Sequence, residues 1–323
     1  MFYVLPYKTK QFFFVLIKLS IVVGAFYFIY QKLATNSELN FKDFIQFLSK
    51  NDVFSLKNII FLLFLSSFNW FFEILKWQHL VSAIQKINLK IALGQSLGAL
   101  TASLFTPNRI GEYGAKAIYY KPNCRKQIML INLISNVLQM SVTVISGVIG
   151  FSFFTSKYNL NLDYYKLSKG LIILLTTGVF VAFGVRKSKF TIKGFSFEKI
   201  KEFLLQFPKN KLVLGFIYSL IRYTIFSFQF YFLLIIFKID IGYLDAMEAI
   251  TSIYLLASIV PTIFIFDVII KGSVAVFLFS LLGINELTIL SIISLMWILN
   301  FVIPSMFGSY YVLNFKLPKT QID

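Results

Sequence analysis

Arg109, Glu112 and Lys116 stand three and four residues apart just after Thr106-Pro107, and Asp267 and Lys271 stand four apart after Pro261. A sixth charge, Arg222, sits alone in an apolar stretch. On a helix, spacings of three and four place side chains on one face, so each acid either closes an ion pair with its neighbour or leaves a cation to hold an anion. The chemistry on offer is charge pairing, anion capture and, through Glu112 or Asp267, proton exchange. Catalysis has less to work with. The single cysteine (Cys124) and single histidine (His79) supply no disulfide framework, zinc cluster or Cys/His pair. No metal, cofactor or catalytic residue is expected.

Thr106 fits the cap of a helix that opens at Pro107, because proline is favoured at a first helical position. The free N–H groups of such a helix end would lie beside Arg109 and attract an anion; in a lipid-facing cavity that anion is a phosphate headgroup. A structural reading stands next to this one: Glu112 complements the helix end and pairs with Arg109 or Lys116, holding the segment shut. Arg222, about ten residues into its run, is too deep to snorkel comfortably and needs a partner, for which Glu112 and Asp267 are the candidates. Asp267 and Lys271 could equally satisfy each other.

Polar side chains also form stripes. Asn132, Ser135, Asn136, Gln139 and Thr143 share one face of residues 128–154, either as a cavity wall or as glue between helices. Ser66, Asn69, Glu73 and Lys76 share a face in one apolar run, and Ser219, Arg222 and Gln229 in another. Glu73 and Lys76 by themselves read as an interfacial anchoring pair. Gly94, Gly98 and Ala102 read as a close-packing face.

The elements that position these residues are membrane helices. Of 323 residues 58% are hydrophobic and 14% charged, against about a quarter charged in soluble domains. Apolar runs at 12–30, 58–77, 128–154, 171–185, 212–237 and 287–313 are each long enough, or nearly so, to cross a hydrocarbon core of about 30 Å. The net charge of +17 does not indicate nucleic acid, because Lys and Arg sit in short connections, as the positive-inside rule expects. Residues 186–211, with eight basic and two acidic side chains, are the clearest cytoplasmic connection, and both termini are expected on that side. Residues 195–207 are expected to form an amphipathic helix, with another at 38–49.

Two segments, 89–120 and 249–283, are interrupted by proline and have pieces too short to span. They are expected as re-entrant hairpins. The expected fold is therefore an all-α integral membrane protein, one polytopic domain over 1–323, with six full spans and two re-entrant hairpins. An inverted repeat would relate residues 58–154 to 212–313, an arrangement used by secondary transporters.

Thr106-Pro107-Asn108-Arg109-Ile110-Gly111-Glu112-Tyr113-Gly114-Ala115-Lys116-Ala117 resembles the flippase-like family defined by the transmembrane region of lysylphosphatidylglycerol synthase, the multiple peptide resistance factor type. The resemblance extends to Arg222-Tyr223 with Gln229-Phe230-Tyr231, and to Pro261-Thr262 with Lys271-Gly272-Ser273-Val274-Ala275. It departs at Phe266-Asp267, where Gly-Glu is expected, and the synthase domain is not seen. The resemblance implies a non-enzymatic protein of the bacterial inner membrane that moves lipids with polar, phosphate-containing headgroups between leaflets. It implies that Arg109, Glu112, Arg222, Asp267 and Lys271 line the headgroup path, and Lys116, Asn132, Asn136, Gln139 and Gln229 complete the expected set. Alternating exposure of this site to the two faces is the expected mechanism. The rivals are a membrane enzyme acting on lipid-linked phosphates and a scaffold for envelope enzymes. Expected partners are a phospholipid or polyprenyl-linked headgroup and the membrane, with a second copy or an envelope biosynthetic enzyme as protein partner.

Overall fold

The computed structural model describes residues 23, 27, 46, 49, 55–104, 106, 109–158, 197–259 and 267–316. Among the described residues the secondary structure is helical: α1 (Leu56–Val81), α2 (Leu89–Ser103), α3 (Gly111–Ala117), α4 (Arg125–Lys157), α5 (Phe197–Gln206), α6 (Lys209–Ile236), α7 (Tyr243–Ile259), α8 (Asp267–Ser280) and α9 (Glu286–Leu313). Helix starts follow side-chain chemistry. Ser55 Oγ accepts from Asn58 N–H, Asn88 Oδ1 from Ile91 N–H and Asn285 Oδ1 from Leu287 N–H, each satisfying a donor that the helix itself cannot.

Four helices, α1, α4, α6 and α9, are long and apolar enough to cross a bilayer. This overturns the expectation of six full spans with two re-entrant hairpins in an inverted repeat. The expected runs 58–77, 128–154, 212–237 and 287–313 are these four helices, with bounds shifted by a few residues. The runs at 12–30 and 171–185, and the helix at 38–49, lie outside the described residues apart from isolated positions. At 15, 17 and 14 residues, α2, α7 and α8 fall short of the ~20 that a span needs. An apolar run says only that a segment avoids water; whether lipid or protein covers it is settled by packing.

These short helices pack on the long ones. Antiparallel to α9, α2 sets Gly308 so close to Leu97 and Thr101 that a Cβ would collide with the Leu97 carbonyl, while Thr101 Oγ1 donates to Ser305 O at 2.9 Å. A Cβ on Gly94 would meet Tyr311 at 2.9 Å and one on Gly98 the Tyr119 hydroxyl at 2.7 Å. The close-packing reading of Gly94 and Gly98 therefore holds. Helix α7 lies antiparallel to α4, where Gly147 and Gly150 leave room for Leu255 and Thr251. The expected amphipathic helix at 195–207 is α5, with Leu205 exposed on it and Phe207 buried just past its end.

Helix α9 carries an irregularity that positions everything beside it. Residues Ile298–Val302 form a π-helical turn in which Ile303 N–H donates to Ile298 O. Pro304 has no N–H, so the carbonyls of Leu299 and Asn300 lose their usual intrahelical donors. In a bilayer such groups must be satisfied by protein. Helix α1 does so: Ser66 Oγ donates to Leu299 O and Trp70 Nε1 to Asn300 O at 3.0 Å. The Asn300 side chain then accepts from Asn69 Nδ2 and donates to Gln229 Oε1, each at 2.8 Å. Three helices are thereby locked by one break.

Candidate functional site

Along α1 the polar face Ser66, Asn69, Glu73, Lys76 turns inward, and all four residues are buried. Helix α6 lies antiparallel against that face. Glu73 Oε2 accepts from Lys76 Nζ at 2.8 Å and from Arg222 Nη1 at 2.8 Å. The acid that pairs with Arg222 is thus Glu73 and not the expected Glu112, while the side chain of the other candidate, Asp267, lies outside the described residues. Gln139 of α4 stands on the other side, with its Oε1 3.4 Å from Arg222 Nη1 and its Nε2 3.4 Å from Ser219 O.

A second ion-paired group is built from α3. Glu112 holds Lys116 through one oxygen (2.7 Å) and Arg109 through the other (3.1 Å). Lys116 Nζ donates to Asn132 Oδ1 of α4 at 2.8 Å and lies 4.2 Å from the centre of the Trp77 ring. That ring is fixed in turn, because Trp77 Nε1 donates to Gln95 Oε1 at 2.8 Å. The Tyr120 hydroxyl donates to the same oxygen at 2.9 Å; burial pushes this phenol up to about 12, so it remains a neutral donor.

The expected helix opening at Pro107 is corrected. The helix begins at Gly111, and Pro107 and Asn108 lie outside the described residues. Thr106 bridges instead of capping a Pro107 helix: its Oγ1 donates to Ser103 O at 2.7 Å and accepts from Gly111 N–H at 2.9 Å. Arg109 sits between them in the left-handed region with φ 56°, a conformation that is costly for a side chain other than glycine. It aims the guanidinium back at Glu112 and over Phe301 of α9 at 5.8 Å.

The two groups form one electrostatic unit. Lys116 acts on Glu73 and Lys76, and the two carboxylates act on each other. Four cations (Arg109, Lys116, Lys76, Arg222) and two anions (Glu73, Glu112) leave a net +2. Lys76 and Lys116 are each 1% exposed, whereas Arg109 is 35% and Arg222 21% exposed, so the lysines are the buried cations of the cluster and the arginines its more exposed ones. Arg109 Nε, Arg222 Nε and Asn132 Nδ2 are buried donors without a hydrogen-bond partner among the described residues. The arrangement can hold an anion.

Of the residues expected at a site, Arg109, Glu112, Lys116, Arg222, Asn132 and Gln139 are brought together. Asn136 Nδ2 donates to the Tyr113 hydroxyl at 3.1 Å on a more exposed part of the same face. Gln229 lies apart, with Nε2 donating to Leu62 O at 3.1 Å and Oε1 held by Asn300. Lys271 is carried by α8, which packs on α7 and the first half of α9 through Leu278 and Phe279; the Asp267 side chain lies outside the described residues. Glu73 and Lys76, by sequence an anchoring pair, lie at the centre of the ion-paired group. Their shared face with Ser66 and Asn69 was the available signal. Asn300 was missed, although an asparagine four residues before a proline in an apolar run is a signal of the same kind.

No curated protein matches this sequence. Residues 15–308 match a family model described as the lysylphosphatidylglycerol synthase TM region, and that match covers most of the chain. The model that matches is that of the transmembrane region of the synthase. With four helices able to cross a bilayer, it is a multi-pass membrane protein with a flippase-like role toward membrane lipids. The chain thus belongs to the family of the lysylphosphatidylglycerol synthase transmembrane region.

Proposed function

We propose that this protein binds the phosphate-containing headgroup of a membrane lipid at the Arg109–Glu112–Lys116 and Glu73–Lys76–Arg222 cluster and passes it across a bacterial cytoplasmic membrane by opening that site to each face in turn. The observation that carries the reading is the unbalanced charge. Each charge in the middle of a bilayer costs about 2.5–3.5 kcal/mol on insertion scales, so a cluster that served structure alone would be expected to be neutral. Among the described residues two cations are in excess, and Nε of each arginine has no hydrogen-bond partner. A phosphate beside the two arginines would offset the excess charge. The basic connection at residues 186–211 supports a cytoplasmic placement for that side of the protein.

Scrambling of tail-labelled lipids in proteoliposomes tests this. Each arginine donates a charge-assisted hydrogen bond worth about 1.5–3 kcal/mol. Arg222→Ala and Arg109→Ala should therefore slow translocation of an anionic lipid by about ten- to a hundred-fold, while a phosphatidylcholine control stays at its background rate. Wild-type rates retained in both variants, with normal folding, would refute the proposed site.

A further inference from the structure

Helix α9 belongs to two packed groups at once. Its first half, through Ile289, Ile292, Ile293 and Met296, joins the apolar cluster of α6, α7 and α8. Its second half packs on α2, where Gly308 meets Leu97 and Tyr311 meets Gly94. The π-helical turn Ile298–Val302 lies at the boundary between the two. We infer that this turn is a hinge between the halves of α9, held in its present geometry by a latch of three buried amides, Asn69, Asn300 and Gln229. The part it plays in transport rests on the reading that the charged cluster moves a headgroup; the hinge itself does not.

An unbroken α-helix resists bending because each turn is tied to the next by backbone bonds. Here the tie is incomplete. Ile303 N–H is drawn to Ile298 O and Pro304 has no N–H, so Leu299 O and Asn300 O lack their usual donors four residues on. The substitutes come from α1, through Ser66 Oγ and Trp70 Nε1. A side-chain bond is exchanged by a change of rotamer, whereas a ladder bond is lost only with its helix. Helices bend at such prolines and π-helical turns.

The latch crosses the same boundary. Asn300 Oδ1 accepts from Asn69 Nδ2 of α1 at 2.8 Å, and Asn300 Nδ2 donates to Gln229 Oε1 of α6 at 2.8 Å and to Met296 O at 3.0 Å. All three amides are at most 3% exposed, yet Asn69 Oδ1 has no hydrogen-bond partner among the described residues. A buried acceptor left open gives the same amides a second way to pair. The hinge also reaches the charged cluster. Phe301, in the turn itself, lies 5.8 Å under the Arg109 guanidinium, and α2 leads through Thr106 to α3. Arg222 is held on the α1 and α6 side by Glu73. Bending at the turn therefore moves Arg109 relative to Arg222.

Double electron–electron resonance on the full-length protein in phosphatidylcholine nanodiscs tests this, with nitroxides on Tyr310→Cys and Phe277→Cys in a Cys124→Ser background. Tyr310, on the second half of α9, and Phe277, on α8, are both exposed. Tyr310 stands about 12 Å past the turn at 1.5 Å per residue, so a bend of about 20° shifts its label by about 4 Å. The reference pair is Phe277→Cys with Leu244→Cys, exposed sites on α8 and α7 within one packed group. The Tyr310–Phe277 distribution should be bimodal, or wider than the reference by about 4 Å. Pro304→Ala returns an N–H to Asn300 O and should narrow it to the reference width.

Asn300→Leu removes the latch and should shift or broaden the distribution further. Ser66→Ala, which removes only the donor to Leu299 O, should do the same to a smaller extent and is the milder variant if the first does not fold. Distributions unchanged from wild type in both overturn the latch. A wild-type distribution as narrow as the reference overturns the hinge, and that result needs no variant to fold. Scrambling of an anionic lipid by a protein with the narrow distribution leaves the proposed function standing and removes this inference alone. A wide distribution without scrambling does the reverse.

Discussion

Glu73 is the residue on which the cluster turns, because a single carboxylate oxygen serves both Lys76 and Arg222. Lys76 is almost wholly buried, so removing its counter-charge strands an ammonium. Breaking a buried pair by removing one partner costs about 3–5 kcal/mol. Glu73→Gln should therefore lower the thermal unfolding temperature in detergent sharply, and adding Lys76→Met should recover most of that loss, because it removes the stranded charge as well. A double variant no more stable than Glu73→Gln would show that Lys76 is held by something other than Glu73. Arg109 makes a different demand. Its left-handed backbone costs about 1–2 kcal/mol for a residue with a Cβ. Arg109→Gly should consequently unfold at a higher temperature than Arg109→Ala, while the two lose headgroup binding equally. This comparison separates the strain from the charge.

At the scale of elements, α9 shows why an interrupted helix is stable in a membrane. Pro304 and the π-helical turn expose the carbonyls of Leu299 and Asn300, and α1 supplies donors for both from Ser66 and Trp70. The break and the α1 face are one unit. Trp70→Phe keeps the ring but leaves Asn300 O without that donor, a loss of about 1–3 kcal/mol. In a Pro304→Ala background the helix regains an N–H, so the same Trp70→Phe change should cost less, with a coupling measurable in a double-mutant cycle of thermal stability. Additive effects would mean that the two residues act separately. The short helices follow the same logic at a smaller scale: α2 reaches α9 only because Gly308 has no side chain there, which brings the chain to the turn that carries Arg109.

Across the whole molecule, the long helices divide their surfaces between protein and lipid. Val137, Met140, Val144, Ile145, Val148, Ile149 and Phe153 are exposed on one side of α4, while Asn132 and Ser135 on the other are buried. An exposed apolar band of this kind is covered by acyl chains in a bilayer. In a Cys124→Ser background, a cysteine at Ile145 or Phe153 should resist a charged, water-soluble maleimide in vesicles, and one at Arg109 should react from the aqueous phase. Protection at Arg109 in unliganded vesicles would place this side of the cluster out of reach of water and argue against headgroup entry there.

Hydropathy determined the membrane class and located the four long helices, and the i, i+3 and i+4 spacing offered Arg109 or Lys116 as the partner of Glu112, because each of these depends on neighbours in sequence. The amphipathic α5 and the Gly94–Gly98 packing face were legible for the same reason. The partner of Arg222 was not. Glu73 lies 149 residues away, and which of several acids meets an arginine is decided by how α1 lies on α6. Nor could sequence say which short apolar helices are covered by protein, or that the α3 helix starts at Gly111 after a strained Arg109. Burial, the pairing of distant charges and the net +2 of the assembled cluster exist only once the helices have packed, since each is a property of space between elements rather than of any one of them.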